Sequence, residues 1–119
     1  MLQLLFLLMG GQNPATPPCK ARLELHQQEG MMTVTGHCRN LLPTAGRYRY
    51  ELLTMREGAG GRSQNTQRGE FEVASQQEIA LSQTRVNVSA QDSYQIRLRV
   101  LDMAGHAVAQ DSASQNMTR

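Results

Sequence analysis

The chain has 119 residues, a formal net charge of +2, 4% aromatic residues and no tryptophan. That length supports one domain around one core, and the core must be mainly aliphatic. No block of like charge marks a nucleic-acid-binding tail, and the apolar run Leu2–Met9 is far short of the roughly 20 residues a bilayer span needs.

Leu2–Met9, broken only by Gln3, has the character of the hydrophobic part of a secretory signal, and a polar, proline-bearing stretch follows it through Pro18. A basic segment ahead of the run is missing. Residues 1–18 therefore read as a signal-like or disordered segment, with export and a cut near Ala15 as one outcome and an unprocessed tail as the other. The folded domain is expected over residues 19–112, with a disordered tail over 113–119.

Cys19–Gln27 alternates, with Cys19, Ala21, Leu23 and Leu25 on one face and Lys20, Arg22, Glu24 and His26 on the other. That is the pattern of a half-buried strand. Gln28-Glu29-Gly30 reads as a turn. Met31–Cys38 then places Met32, Val34, Gly36 and Cys38 on one face. Opposed residues of paired strands share a face, so odd positions of the first strand must meet even positions of the second. The tightest such register pairs Leu25 with Met32, Leu23 with Val34, Ala21 with Gly36 and Cys19 with Cys38. The hydrophobic pattern thus sets the two cysteines opposite each other on the core side. If the protein is exported, they read as a structural disulfide, closing a loop of about 19 residues. Two buried thiols and a redox-active pair are the alternatives. A metal site with His26 and His37 is disfavoured, because the alternation puts both histidines on the other face.

Arg39–Ala45 is a loop broken by Pro43. Gly46–Met55 is the next strand, with Tyr48, Tyr50 and Leu52 on one face and Arg47, Arg49, Glu51 and Leu53 on the other. Met55–Phe71 has no apolar periodicity, four glycines and three arginines, and reads as a long loop entering a short strand at Gly69–Ala74. Glu78–Leu81 and Thr84–Ser89 follow. Ser93–Asp102 is the strongest strand, with Tyr94, Ile96, Leu98 and Val100 inward and Arg97 and Arg99 outward. His106–Asp111 returns, and from Ser112 the chain has little reason to order. About seven strands and no helix predict an all-β fold, two antiparallel sheets packed as a sandwich.

The middle of the chain carries a resemblance. Arg56-Glu57-Gly58, Gly61, Ser63-Gln64 and Gln67, followed by Ile79-Ala80-Leu81 and Val86-Asn87-Val88-Ser89, resemble the curli assembly chaperones of the CsgC and CsgH type. The likeness spans roughly Gly46 to Asp102. The Cys-x-Cys of the CsgC branch is replaced here by Gly46 and Tyr48, so the chain is closer to the CsgH type and a redox role tied to that motif does not carry over. The resemblance implies an immunoglobulin-like sandwich in the periplasm that keeps an unfolded, acidic, Asn/Gln-rich curli subunit from polymerising into amyloid. It also implies a monomer that binds neither nucleic acid nor, once processed, a membrane.

Lys20 is the only lysine among twelve basic residues. Arginine is a planar, multi-donor cation suited to carboxylates and backbone carbonyls, although genome composition explains the bias equally well. In an immunoglobulin-like strand order, Gly46–Met55 and Ser93–Asp102 are neighbours. Their outward Arg47, Arg49, Arg97 and Arg99 then form a cationic patch, which Arg56, Arg62 and Arg68 extend. Such a patch steers and holds an acidic chain; an ordinary solvated face is the alternative. No catalytic, metal-binding or cofactor-binding constellation is present: the glycine-rich stretch lacks the Lys-Ser/Thr of a phosphate cradle and opens no helix. A non-enzymatic chaperone is the expectation. A periplasmic thiol-redox partner and a structural subunit of the curli secretion machinery are the alternatives.

Overall fold

The computed structural model describes residues 17–116. It holds seven strands: β1 Cys19–Gln28, β2 Met31–Asn40, β3 Gly46–Gly58, β4 Gly61–Val73, β5 Glu78–Asn87, β6 Ser93–Leu101 and β7 Ala107–Gln115. They form two antiparallel sheets, in the orders β1-β2-β5 and β4-β3-β6-β7. The expected all-β sandwich is thus observed. The signal-like segment lies outside the described residues except for Pro17 and Pro18.

Alternation builds the core. Met32, Val34 and Cys38 of β2 face Tyr48 and Leu52 of β3 and Ile96, Leu98 and Val100 of β6, all buried. Burying such side chains is the main favourable term in folding, at about 1.5–3 kcal/mol for a large aliphatic one. Asn40, fully enclosed, donates from Nδ2 to the carbonyls of Thr44 at 2.8 Å and Val73 at 3.1 Å, which fixes the loop before β3.

Four sequence expectations are corrected. First, Met55–Phe71 is not a loop. β3 and β4 pair without interruption from Gly46↔Val73 to Gly58↔Gly61, turning at Ala59-Gly60. Gly61 takes φ +114°, a conformation only glycine adopts freely. The segment lacks alternation because much of it is exposed on both faces, while its backbone bonds are met by β3.

Second, the β1–β2 register lies two residues away from the expected one: Cys19 faces Asn40, Ala21 faces Cys38 and Leu25 faces Val34. The turn is the reason. It contains two residues, Glu29 and Gly30, at φ 55° and 79°. A primed turn needs positive φ at both positions, which Glu29-Gly30 meets with its glycine, whereas the expected register would set the turn on Gln28-Glu29, which has none.

Third, β5 is one strand rather than two, with a slip opposite Gly36/His37 that absorbs its irregular pattern. Fourth, β7 continues to Gln115, and residues 113–115 are not tail. Ser112, Ala113, Ser114 and Gln115 pair with Arg97, Ile96, Gln95 and Tyr94. The Gln115 and Asn116 amides then both donate to the Asp92 carbonyl at 3.1 Å.

Candidate functional site

Opposed residues of an antiparallel pair share a face, so the registers place the predicted arginines directly. Arg47 faces Glu72, Arg49 faces Glu70, Glu51 faces Arg68 and Glu57 faces Arg62 across β3–β4. Across β3–β6, Glu51 faces Arg99 and Leu53 faces Arg97. Arg47, Arg49, Arg62, Arg68, Arg97 and Arg99 therefore all lie on the outer face of the four-stranded sheet. The face is not a bare cationic plateau, because glutamates interleave with the arginines.

Glu51 stands at its centre. Its two carboxylate oxygens take Arg68 and Arg99, one from each side, both at 3.2 Å. Glu70 takes Arg49 at 3.7 Å and Arg47 at 3.8 Å, and Glu57 takes Arg62. Arg97 is exposed and has no carboxylate partner among the described residues; it sits beside Leu53. A shallow cleft of about 460 Å³ opens between Arg49, Glu51, Arg68, Glu70 and Arg99. Exposed ion pairs of this kind stabilise by about 0–1 kcal/mol each, so the arginines can exchange partners at small cost.

Arg56 does not belong to this face. It occupies an even position of β3, on the inward side, and its Nη1 lies 3.3 Å from Asp92 Oδ2. Both side chains are largely covered, at 19% and 12% exposed. Asp92 Oδ2 also accepts the Ser89 N–H at 3.0 Å. That backbone hydrogen bond, with Arg56 adding to it, holds the Asp92 carboxyl below its ordinary value. A Cβ built on Gly58 would lie 2.0 Å from Asp92 Oδ1, so glycine is required there for the close approach. Arg56 and Gly58 thus lock the β5–β6 turn to the turn end of β3, a scaffolding role the sequence reading missed. The charge ladder was available as a signal: Arg68-x-Glu70-x-Glu72 complements Arg47-x-Arg49-x-Glu51 once the two are set antiparallel.

Cys19 and Cys38 are both buried and both free thiols. They share the core face but stand diagonally rather than opposed, as the position of the turn at Glu29-Gly30 dictates. A thiol–thiol hydrogen bond joins them; it pulls Cys19 down and, with burial, pushes Cys38 above the ordinary thiol range.

On the other sheet, His37 Nε2 lies 2.8 Å from Glu24, and Arg22 reaches Glu78 at 2.7 Å. That outer face is knitted internally in the same manner.

Together these features define the class: a small immunoglobulin-like sandwich that displays a laddered arginine–glutamate sheet face. The profile of the thin aggregative fimbriae synthesis protein family, Tafi-CsgC, matches residues 19–112, and the chain belongs to that family. Among solved structures it is similar to the curli protein CsgC of E. coli, at 26% identity and TM-score 0.66 over 79% of this chain and 96% of that one. It is also similar to CsgH of R. palustris, at 22% identity and TM-score 0.59 over 77% and 89% of the two chains. A β-glucuronidase of Bacteroides uniformis contains a module of the same fold, at 9% identity and TM-score 0.58, covering 82% of this chain and 14% of that one. No curated protein sequence matches. The family ties the chain to curli assembly.

Proposed function

We propose that the protein is a periplasmic chaperone that delays amyloid polymerisation of the curli subunit and does no covalent chemistry. The observation that carries this reading is the outer face of the four-stranded sheet. Six arginines lie on it in register, five of them held by exposed or half-exposed glutamates, and Arg97, beside Leu53, has none among the described residues. An unfolded acidic client supplies carboxylates that compete for these guanidinium groups one by one. Each exchange is nearly neutral, so binding is transient and multivalent. That suits a holdase, which must release its client.

The test replaces Arg47, Arg49, Arg97 and Arg99 with Ser and follows fibrillation of the curli subunit by dye fluorescence. The variant is expected to fold, to melt near the parent and to shorten the delay. A folded variant that delays as long as the parent overturns the reading. Burial of both sulfurs weighs against a thiol-redox partner, whose reactive cysteine must be accessible. In an oxidising compartment the adjacent Cys19 and Cys38 are expected to close into a structural bridge, which comparison of the intact mass before and after reduction reads directly.

A further inference from the structure

β4 is an edge of the four-stranded sheet. Its first half runs Arg62-Ser63-Gln64-Asn65-Thr66-Gln67-Arg68, and the arginine face does not account for it. Residues 61–66 are exposed on both faces, yet the strand is regular, with no slip anywhere along its thirteen residues. The closing pair across a two-residue turn is hydrogen-bonded, and hydrogen-bonded pairs alternate along an antiparallel ladder. The N–H and C=O groups of Gln64 and Thr66 therefore point away from β3, into solvent.

The other edges are treated differently. The same alternation on β1 turns the Leu23 N–H outward, and there Asp111 Oδ2 takes it at 2.8 Å. β7 packs against β1 on that side. β5 carries the slip opposite Gly36/His37 and the charged Glu78 and Arg85. Between Arg62 and Arg68, β4 has no proline, lysine or bulge, and no segment among the described residues covers its exposed first half. An edge left in that state is a template for another extended chain.

We infer that this edge is the client's docking strand, accepting an extended, Asn/Gln-rich client segment as a fifth strand of the sheet. The main chain of Gln64 and Thr66 supplies the ladder. The side chains of Gln64 and Asn65, both exposed, present amides to client amides, the pairing that stacks such chains on one another. Arg62 and Arg68 stand at the two ends and receive acids flanking the segment. The inference rests on the chaperone reading above and names where on the molecule the client backbone is held. The occupant is a foreign chain rather than a second copy: in the register centred on Asn65, self-pairing sets Arg62 opposite Arg68 twice, and like charges directly opposed disfavour it.

The experiment uses the full chain and a synthetic peptide of Asn and Gln residues with Asp at each end. Amide exchange of the Gln64 and Thr66 N–H groups is expected to slow about tenfold or more at saturating peptide, while the Leu23 N–H, already bonded, is unchanged. In parallel, Gln64→Pro/Thr66→Pro removes the two outward donors at positions where an edge strand tolerates proline. It is expected to lose at least half of the fibrillation delay with every face arginine in place. Unchanged exchange of both amides in the parent overturns the inference, whether or not the proline variant folds. Protection that appears without peptide and grows with protein concentration also overturns it, in favour of a second copy. The two proposals separate cleanly. If the parent delays fibrils, the four-arginine variant does not and the amides stay unprotected, the edge fails and the arginine face stands. If the parent does not delay fibrils at all, the chaperone reading itself fails.

Discussion

The two long hairpins of this molecule are built alike and rest on different things. β1–β2 pairs ten residues with ten around Glu29-Gly30, and β3–β4 pairs thirteen with thirteen around Ala59-Gly60. The first lies on the core along much of its length and alternates visibly. The second begins on the core, at Tyr48 and Leu52 against Val73 and the rest of the cluster, then carries Arg62–Thr66 out where neither face is buried. Strand pairing is a property of the backbone, whereas alternation records what lies beneath. A strand with solvent on both sides has no reason to alternate.

This contrast can be broken by substitution, and the largest effect is expected in the core. Leu98→Ala, at a fully buried position, should cost about 2–5 kcal/mol, read from the urea midpoint at unchanged slope; a loss below about 1 kcal/mol would mean the sandwich is looser than its burial implies. Gly58→Ala comes next. Its methyl must displace the Asp92 carboxylate from a site 2.0 Å away, and overpacking of this kind costs about 1–3 kcal/mol. A neutral outcome would show that the contact between the turn end of β3 and the β5–β6 turn is slack.

A smaller effect is expected from acid. Asp92 titrates below its ordinary value of 3.8 in the folded protein. Its contribution is therefore present at neutral pH and is lost as pH falls through 3.8 towards the lowered folded value. Asp92→Asn should flatten the stability curve in that window relative to the parent. Equal slopes for the two proteins would detach Asp92 from the lock. The smallest effect belongs to the far end: Gln64→Ala/Asn65→Ala should leave stability within about 0.5 kcal/mol. A larger loss would place hidden packing beneath the tip.

The same contrast explains what could be read beforehand. Strands with one buried face were legible from periodicity: Ser93–Leu101 with Ile96, Leu98 and Val100 inward, and Met31–Cys38 with Met32 and Val34 inward. The outward arginines of β3 and β6 followed from that parity. The β1–β2 register was not legible, because two registers two residues apart bury the same face, and turn stereochemistry at Glu29-Gly30 chose between them. β4 was hidden by its polarity, and with it the glutamate partners at Glu70 and Glu57. Arg56 looked like its neighbours, but its even position, not its charge, sent it inward to Asp92.

The bond from the Leu23 amide to Asp111 has a consequence for valency. A body able to recruit extended chains on two opposite flanks would act as a link and lengthen a stack. Here one flank is closed by a carboxylate that belongs to the fold itself. A chain docked along the other flank would therefore meet a dead end, with no second open edge for the next chain to follow.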